Sequence, residues 1–156
     1  MQELVFFVYL FWYSLLFIKR MEKFDKWNEE KQKLNKLDYD NFYVNARDIY
    51  FTKMGINIGF EENWKSEFLR PVLVLKKVWN LFFTVALTSK WKDNNFYYHK
   101  INNLILSEKN NKYINSSYCI LSQVKVMDKK RFTQNIWAIS EGDFKNIQKK
   151  LKILLF

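Results

Sequence analysis

Cysteine, histidine and proline each occur once among 156 residues. A single thiol, Cys119, cannot build an internal disulfide framework, which fits a reducing compartment. One cysteine and one histidine also fall short of a structural zinc site, so neither a metal nor a cofactor is expected. Cys119 lies in the apolar stretch SYCILS and reads as a small buried hydrophobe. His99, within FYYHK, is expected to point from a strand surface rather than take part in catalysis. A full-length membrane span is lacking too. Residues 4–18, LVFFVYLFWYSLLFI, are uncharged but number only 15, against roughly 20 helical residues for a bilayer core about 30 Å thick. The segment has neither the basic leader nor the small-residue cleavage site of a secretory signal. It can be read as a tilted anchor, as a signal-like core, or as an apolar tail ahead of a true start at Met21, and the last is preferred. A membrane partner is expected only if residues 4–18 are genuine and exposed.

What is present points to a folded, basic protein. Apolar residues make up 49% and aromatics 19%, enough to fill one core, and the length suits one domain with an extension. The formal net charge is +10 and the isoelectric point near 9.6. Seven basic and seven acidic residues cancel within 1–40, which leaves the excess to the 19 basic and 9 acidic residues of 41–156. The globular part is the basic part, and a polyanion is its expected partner.

Periodicity divides the chain into an apolar segment (1–20), a helical extension (21–40) and a compact domain (41–156). Phe24, Trp27, Leu34 and Leu37 recur at helical spacing with charges between them. From Asp48 onward the pattern becomes that of strands: DIYFTKM, VLVLKKV, LFFTVALTS, FYYHKINNLIL and YCILSQVKVM, separated by polar stretches. Five such strands in so short a span predict a small antiparallel barrel or sandwich. The chain closes with ISEGDFKNIQKKLKILL, where Ser140 is placed to cap a helix whose buried stripe is Phe144, Ile147 and Leu151. The lone proline, Pro71, should open the VLVL strand, because it cannot donate to a ladder, and should hold Arg70 extended at the mouth of the barrel.

The order GINIGFEE, RPVLVL, VALTSK, ILSQVKVMDKKRF and a terminal helix resembles the MazF/PemK family of toxin endoribonucleases from bacterial toxin–antitoxin systems. The resemblance covers roughly Arg47 to Leu155. It implies a mainly β fold: a small SH3-like antiparallel β-barrel of the PemK/CcdB type with a C-terminal helix, here with an appended N-terminal helical extension. It also implies a cytoplasmic homodimer, a cognate antitoxin protein as partner, and metal-independent cleavage of single-stranded RNA. Carried over by position, the family pattern sets its catalytic arginine at Arg70, its strand-end threonine at Thr88 and its acidic residue at Glu61. The sequence departs from that pattern in a longer 61–70 loop and in Val126, which stands where threonine is common. Asp128 is expected to cap the KKRF turn.

These residue types suit the implied chemistry. When the substrate's own 2′-hydroxyl attacks, the protein must supply a proton acceptor and positive charge at the phosphate. Glu61, or Glu62 one residue on, is the acceptor at hand. Arg70 offers forked donors, and its first role is charge stabilisation. For binding, Ser89, Lys90, Trp91 and Lys92 follow the threonine strand and Trp64 lies in the long loop, a mixture of cations and rings suited to unstacked bases. The other reading is a catalytically inactive module that binds RNA or protein on the same barrel.

Overall fold

The computed structural model describes residues 2–39, 43–55, 68–90, 93–102, 104–106 and 117–156. The chain divides into two compact units, Met1–Leu37 and Asp38–Phe156. In the first unit a single helix, α1, runs over Gln2–Lys36, so the apolar stretch and the charged extension are one continuous element. Lys33 and Lys36 in its last turn favour the negative end of the helix dipole. Among the described residues, no helix is long and apolar enough to cross a membrane.

Among the described residues, the second unit is a seven-stranded sheet with one α-helix. Its strands are β1 (Asp48–Lys53), β2 (Leu69–Val78), β3 (Leu81–Thr88), β4 (Tyr98–Ile101), β5 (Leu104–Leu106), β6 (Ser117–Asp128) and β7 (Phe132–Ile139), followed by α2 (Glu141–Leu155). The order across the sheet is β4-β6-β3-β2-β1-β7-β5 and every pairing is antiparallel.

Alternation in β2 sorts the core. Leu73 belongs to one cluster, with Ile49, Val85, Leu87, Cys119, Leu121, Ile136 and Ile139. Val72 and Val74 belong to the other, with Val44, Tyr50, Met54, Phe82, Met127 and Phe132. The first cluster lies under α2, whose Phe144, Ile147 and Leu151 are buried as their spacing predicts. Ser140 caps that helix: its Oγ accepts from the Asp143 N–H at 3.1 Å. Cys119 is fully buried, and burial pushes its thiol pKa up.

Four features differ from the sequence-based expectation. The FYYHKINNLIL stretch breaks into β4 and β5, which lie at opposite edges of the sheet. Only residues 102 and 103 separate Ile101 from Leu104, so three extended steps, about 11 Å at most, bridge the two edges. The sheet is therefore rolled, but the described residues show no β4–β5 pairing that would close it into a barrel. Second, β7 was not foreseen. Its alternation is interrupted by Thr133, Gln134 and Asn135, and its pairing with β1 slips twice. Third, Pro71 is the third residue of an interior strand rather than its first. The recorded β2–β3 ladder begins at Val72, so the missing N–H falls just beyond its end. Fourth, His99 turns inward, with a side chain only 11% exposed, because its strand face lies against α2.

Arg47 ties β2 to β7, the two neighbours of β1 in the sheet. Arg47 takes a left-handed φ of 78°, its N–H donates to Val74 O at 2.9 Å, and its Nε and Nη2 both donate to Ile139 O. At the other end of the β2–β3 hairpin, Trp79 turns the chain at φ 59°. Asp128 caps the 3-10 turn Lys129–Arg131 by accepting from the Lys130 N–H at 2.8 Å, as its place before KKRF suggested. Its other oxygen accepts from the Tyr39 hydroxyl at 2.9 Å, which raises the Tyr39 pKa, while Lys130 Nζ stands 4.8 Å from the Tyr39 ring centre.

Candidate functional site

Arg70 sits near the start of β2, on the strand face that bears Val72 and Val74 two and four residues on. It is half-buried. Directly opposite on β1 is Thr52, which is fully buried and donates from Oγ1 to the Arg70 carbonyl at 3.1 Å. The backbone at Arg70 is thus held by a side chain as well as by the ladder. Phe132 of β7 stands opposite Thr52 in turn.

On the other flank, β2 and β3 pair Val74 with Thr84 and Val72 with Ala86. The same register, continued by two residues, sets Thr88 opposite Arg70, where antiparallel neighbours are about 5 Å apart at Cα. Thr88 Oγ1 accepts from the Lys90 N–H at 3.2 Å, which bends the chain out of the strand and leaves the hydroxyl hydrogen for another acceptor. Ser89 and Lys90 are exposed just beyond it. Thr88 pairs with Tyr118 of β6, and Tyr118 pairs with Lys100 of β4. With the β2–β3 register continued in this way past its last pair, Val72 with Ala86, one transverse row runs Lys100, Tyr118, Thr88, Arg70, Thr52, Phe132 across six strands. Residues directly opposed in a ladder share a face, so this row combines two cations with hydroxyls.

Arg131 supports one end of the row. Its Nη1 donates to the Lys53 carbonyl at 3.0 Å, fixing the chain beside Thr52. Burial lowers its pKa, with Asp128 acting in the opposite sense.

The opposite face has its own polar cluster, under α2. His99 Nε2 lies 3.5 Å from Asp143 Oδ1 without the alignment of a hydrogen bond. Asp143, itself buried, accepts from Ser140 Oγ at 3.2 Å and from the Asn102 N–H at 3.3 Å. Burial lowers the His99 pKa and the nearby Lys150 adds to that, while Asp143 pulls the other way. Cys119 is directly opposite His99 on β6, but a sealed thiol whose pKa is raised is not a nucleophile.

Of the residues singled out from sequence, Arg70 and Thr88 come together at one end of the β2–β3 hairpin, with Ser89 and Lys90 beside them. Glu61, Trp64, Trp91 and Lys92 lie outside the described residues. Val126 does not belong to this neighbourhood. It pairs with Phe83, five residues before Thr88 along β3 or about 17 Å away, so its missing hydroxyl takes nothing from Arg70. Sequence reasoning passed over Thr52, Tyr118 and Lys100. Thr52 had one signal: a hydroxyl at an inward position of the DIYFTK alternation.

The family model described as PemK-like, MazF-like toxin of type II toxin–antitoxin system matches residues 46–155. Solved structures agree on the fold. A MazF crystal structure from Deinococcus radiodurans (Form-I) superposes with a TM-score of 0.55 at 17% identity, over 74% of this chain and 98% of that one. A MazE–MazF structure from the same organism (Form-II) gives 0.50 at 16%, over 74% and 97%. An endoribonuclease in complex with its cognate antitoxin, from a mycobacterial species, gives 0.51 at 10%, over 72% and 95%. No curated protein matches the chain.

Proposed function

The chain belongs to the PemK-like, MazF-like toxins of type II toxin–antitoxin systems, and on that premise we propose that it is an endoribonuclease that cuts single-stranded RNA without a metal. The observation that supports this reading is the meeting of Arg70 and Thr88 at the ends of adjacent strands, on a face that also bears Lys100, in the basic part of the chain.

The ribose 2′-oxygen attacks the adjacent phosphorus, a 2′,3′-cyclic phosphate forms, and the 5′-oxygen of the next nucleotide leaves. Glu61 takes the 2′-hydroxyl proton. Charge accumulates on the non-bridging oxygens, and it is met by a guanidinium carried on a backbone that the neighbouring proline and the Thr52 bond to the Arg70 carbonyl hold in place. Arg70 is charge stabiliser first and proton source for the leaving oxygen second. The Thr88 hydroxyl donates to the same phosphate, and Ser89, Lys90, Trp91, Lys92 and Trp64 hold the flanking RNA. The site works in the cytoplasm, where its RNA is.

A cognate antitoxin and a second copy of the chain are the proposed protein partners. The exposed apolar surface formed by Val78, Trp79, Leu81, Phe83 and Val126, with Trp79 90% exposed, supports contact with protein away from Arg70.

The test is incubation of the purified full chain with mixed-sequence single-stranded RNA in excess EDTA. Fragments ending in 2′,3′-cyclic phosphate and 5′-hydroxyl are expected. RNA that is bound but stays whole would replace the enzyme reading with the inactive binding module.

A further inference from the structure

The register across β2, β3, β6 and β4 makes Lys100 part of the same face as Arg70, although the two are 30 residues apart in sequence. Lys100 is exposed, and Tyr118 directly between it and Thr88 is buried, so the row has a packed aromatic floor with an accessible cation at its β4 end. Tyr98, two residues earlier on β4, faces the same way opposite Ile120 and is partly exposed. Beside it, Phe96 and Tyr97 stack edge-on with centroids 4.9 Å apart and are both exposed, held in place where the Asn94 side chain accepts from both of their N–H groups.

Three strand spacings separate Lys100 from Arg70, about 14 Å along the sheet. With both side chains standing roughly perpendicular to the sheet, that separation carries over to their tips, and the Lys100 ammonium meets the phosphate of a different nucleotide. Exposed rings next to exposed cations form the surface that unstacked bases and their phosphates bind. The opposite face of β4 gives no such surface, because His99 and Ile101 are packed against the core under α2.

Resting on the endoribonuclease reading of the Arg70 site, we propose that single-stranded RNA crosses the strands rather than following one. Lys100 holds a phosphate flanking the cleaved one, and the Phe96–Tyr97 pair, about 10–13 Å further along the β4 edge, stacks a base of a nucleotide beyond it. Lys100 is a binding residue for substrate and has no part in bond breaking.

The measurement uses the full chain carrying Arg70→Ala, so that RNA stays intact, and a fluorescein-labelled mixed-sequence single-stranded RNA. Adding Lys100→Ala should weaken binding about three- to tenfold at moderate salt and lower the slope of log affinity against log salt by about 0.7, the loss of one phosphate contact. Lys100→Arg should restore both, and Lys149→Ala on the exposed side of α2 should change neither. In the otherwise wild-type chain, Lys100→Ala should raise KM and leave kcat unchanged, and Phe96→Ala should weaken binding without altering the salt slope. An unchanged affinity and slope for Lys100→Ala overturns the proposal while leaving the enzyme reading intact. Absence of RNA binding and cleavage by the parent chain overturns the endoribonuclease reading and this proposal with it.

Discussion

The face of the sheet under α2 and the face bearing Arg70 are made by the same strands, yet they treat polar groups in opposite ways. Under α2, Cys119 is sealed, burial disfavours the charged form of His99, and Asp143 Oδ2 accepts from both the Ser140 hydroxyl and the Asn102 N–H. On the other face, Thr52 and Arg131 spend their donors on backbone carbonyls, and Thr88, Ser89 and Lys90 stand at a strand end that opens outward. The only histidine and the only cysteine, the residues most often suspected of chemistry, belong to the closed face. Reactive residue type is thus a poorer guide than the face on which a residue is held.

Substitutions on each face can break or sharpen that contrast. The largest effect is expected for Arg70→Ala, which should lower RNA cleavage by about 10³-fold, equivalent to about 4 kcal/mol of transition-state stabilisation. Its unfolding free energy should move by less than about 1 kcal/mol. Arg70→Lys should recover only part of the rate, because a point charge does not reproduce the guanidinium fork. If Arg70→Ala unfolds the domain instead, the open face is structural and the contrast fails.

On the closed face, Ile147→Ala should cost about 2–5 kcal/mol in urea unfolding, since Ile147 is fully buried between α2 and the sheet. Cleavage per folded molecule should not change. Thr52→Val is intermediate, because it keeps shape and removes only the donor to the Arg70 carbonyl. About 1 kcal/mol of stability should be lost, together with a fall in cleavage that an equally destabilising substitution under α2 does not produce.

The smallest effect concerns pH. The folded pKa of His99 is lowered below 6.5, so the unfolded chain takes up that proton first as pH falls. Its contribution to stability is complete above 6.5 and is lost as pH drops through the lower folded value. The difference in unfolding free energy between pH 7.5 and pH 5.5 should therefore shrink in His99→Gln. An unchanged difference would mean that the closed face does not control the charge of His99.

Much of this arrangement was legible in the sequence where one local rule acted alone. The alternation in VLVL, the Ser140 cap with its helical stripe, and the Asp128 turn depend on neighbours a few residues away, and each stands as its pattern indicates. The failures come from pairing at long range. Leu104–Leu106 looked like the end of one strand because nothing local shows that the chain crosses from one edge of the sheet to the other. β7 was obscured because its bulges against β1 shift the alternation. Within the candidate site, Arg70 and Thr88 drew attention through motif order, whereas Lys100 enters only through its register with Tyr118. His99 was misjudged because a short strand of alternating polar and apolar residues does not tell which face a distant helix will cover.

The two-residue crossing between β4 and β5 bears on how this protein is made. Its Asn102 N–H is held by the carboxylate of Asp143, and Asp143 belongs to the first turn of α2, some forty residues further on. While the chain is still emerging from a ribosome, the seam of the rolled sheet has no clasp, and the surface that α2 will cover stays wet. The seam gains its clasp, and the face under α2 its cover, only when residues 140–151 fold onto the sheet.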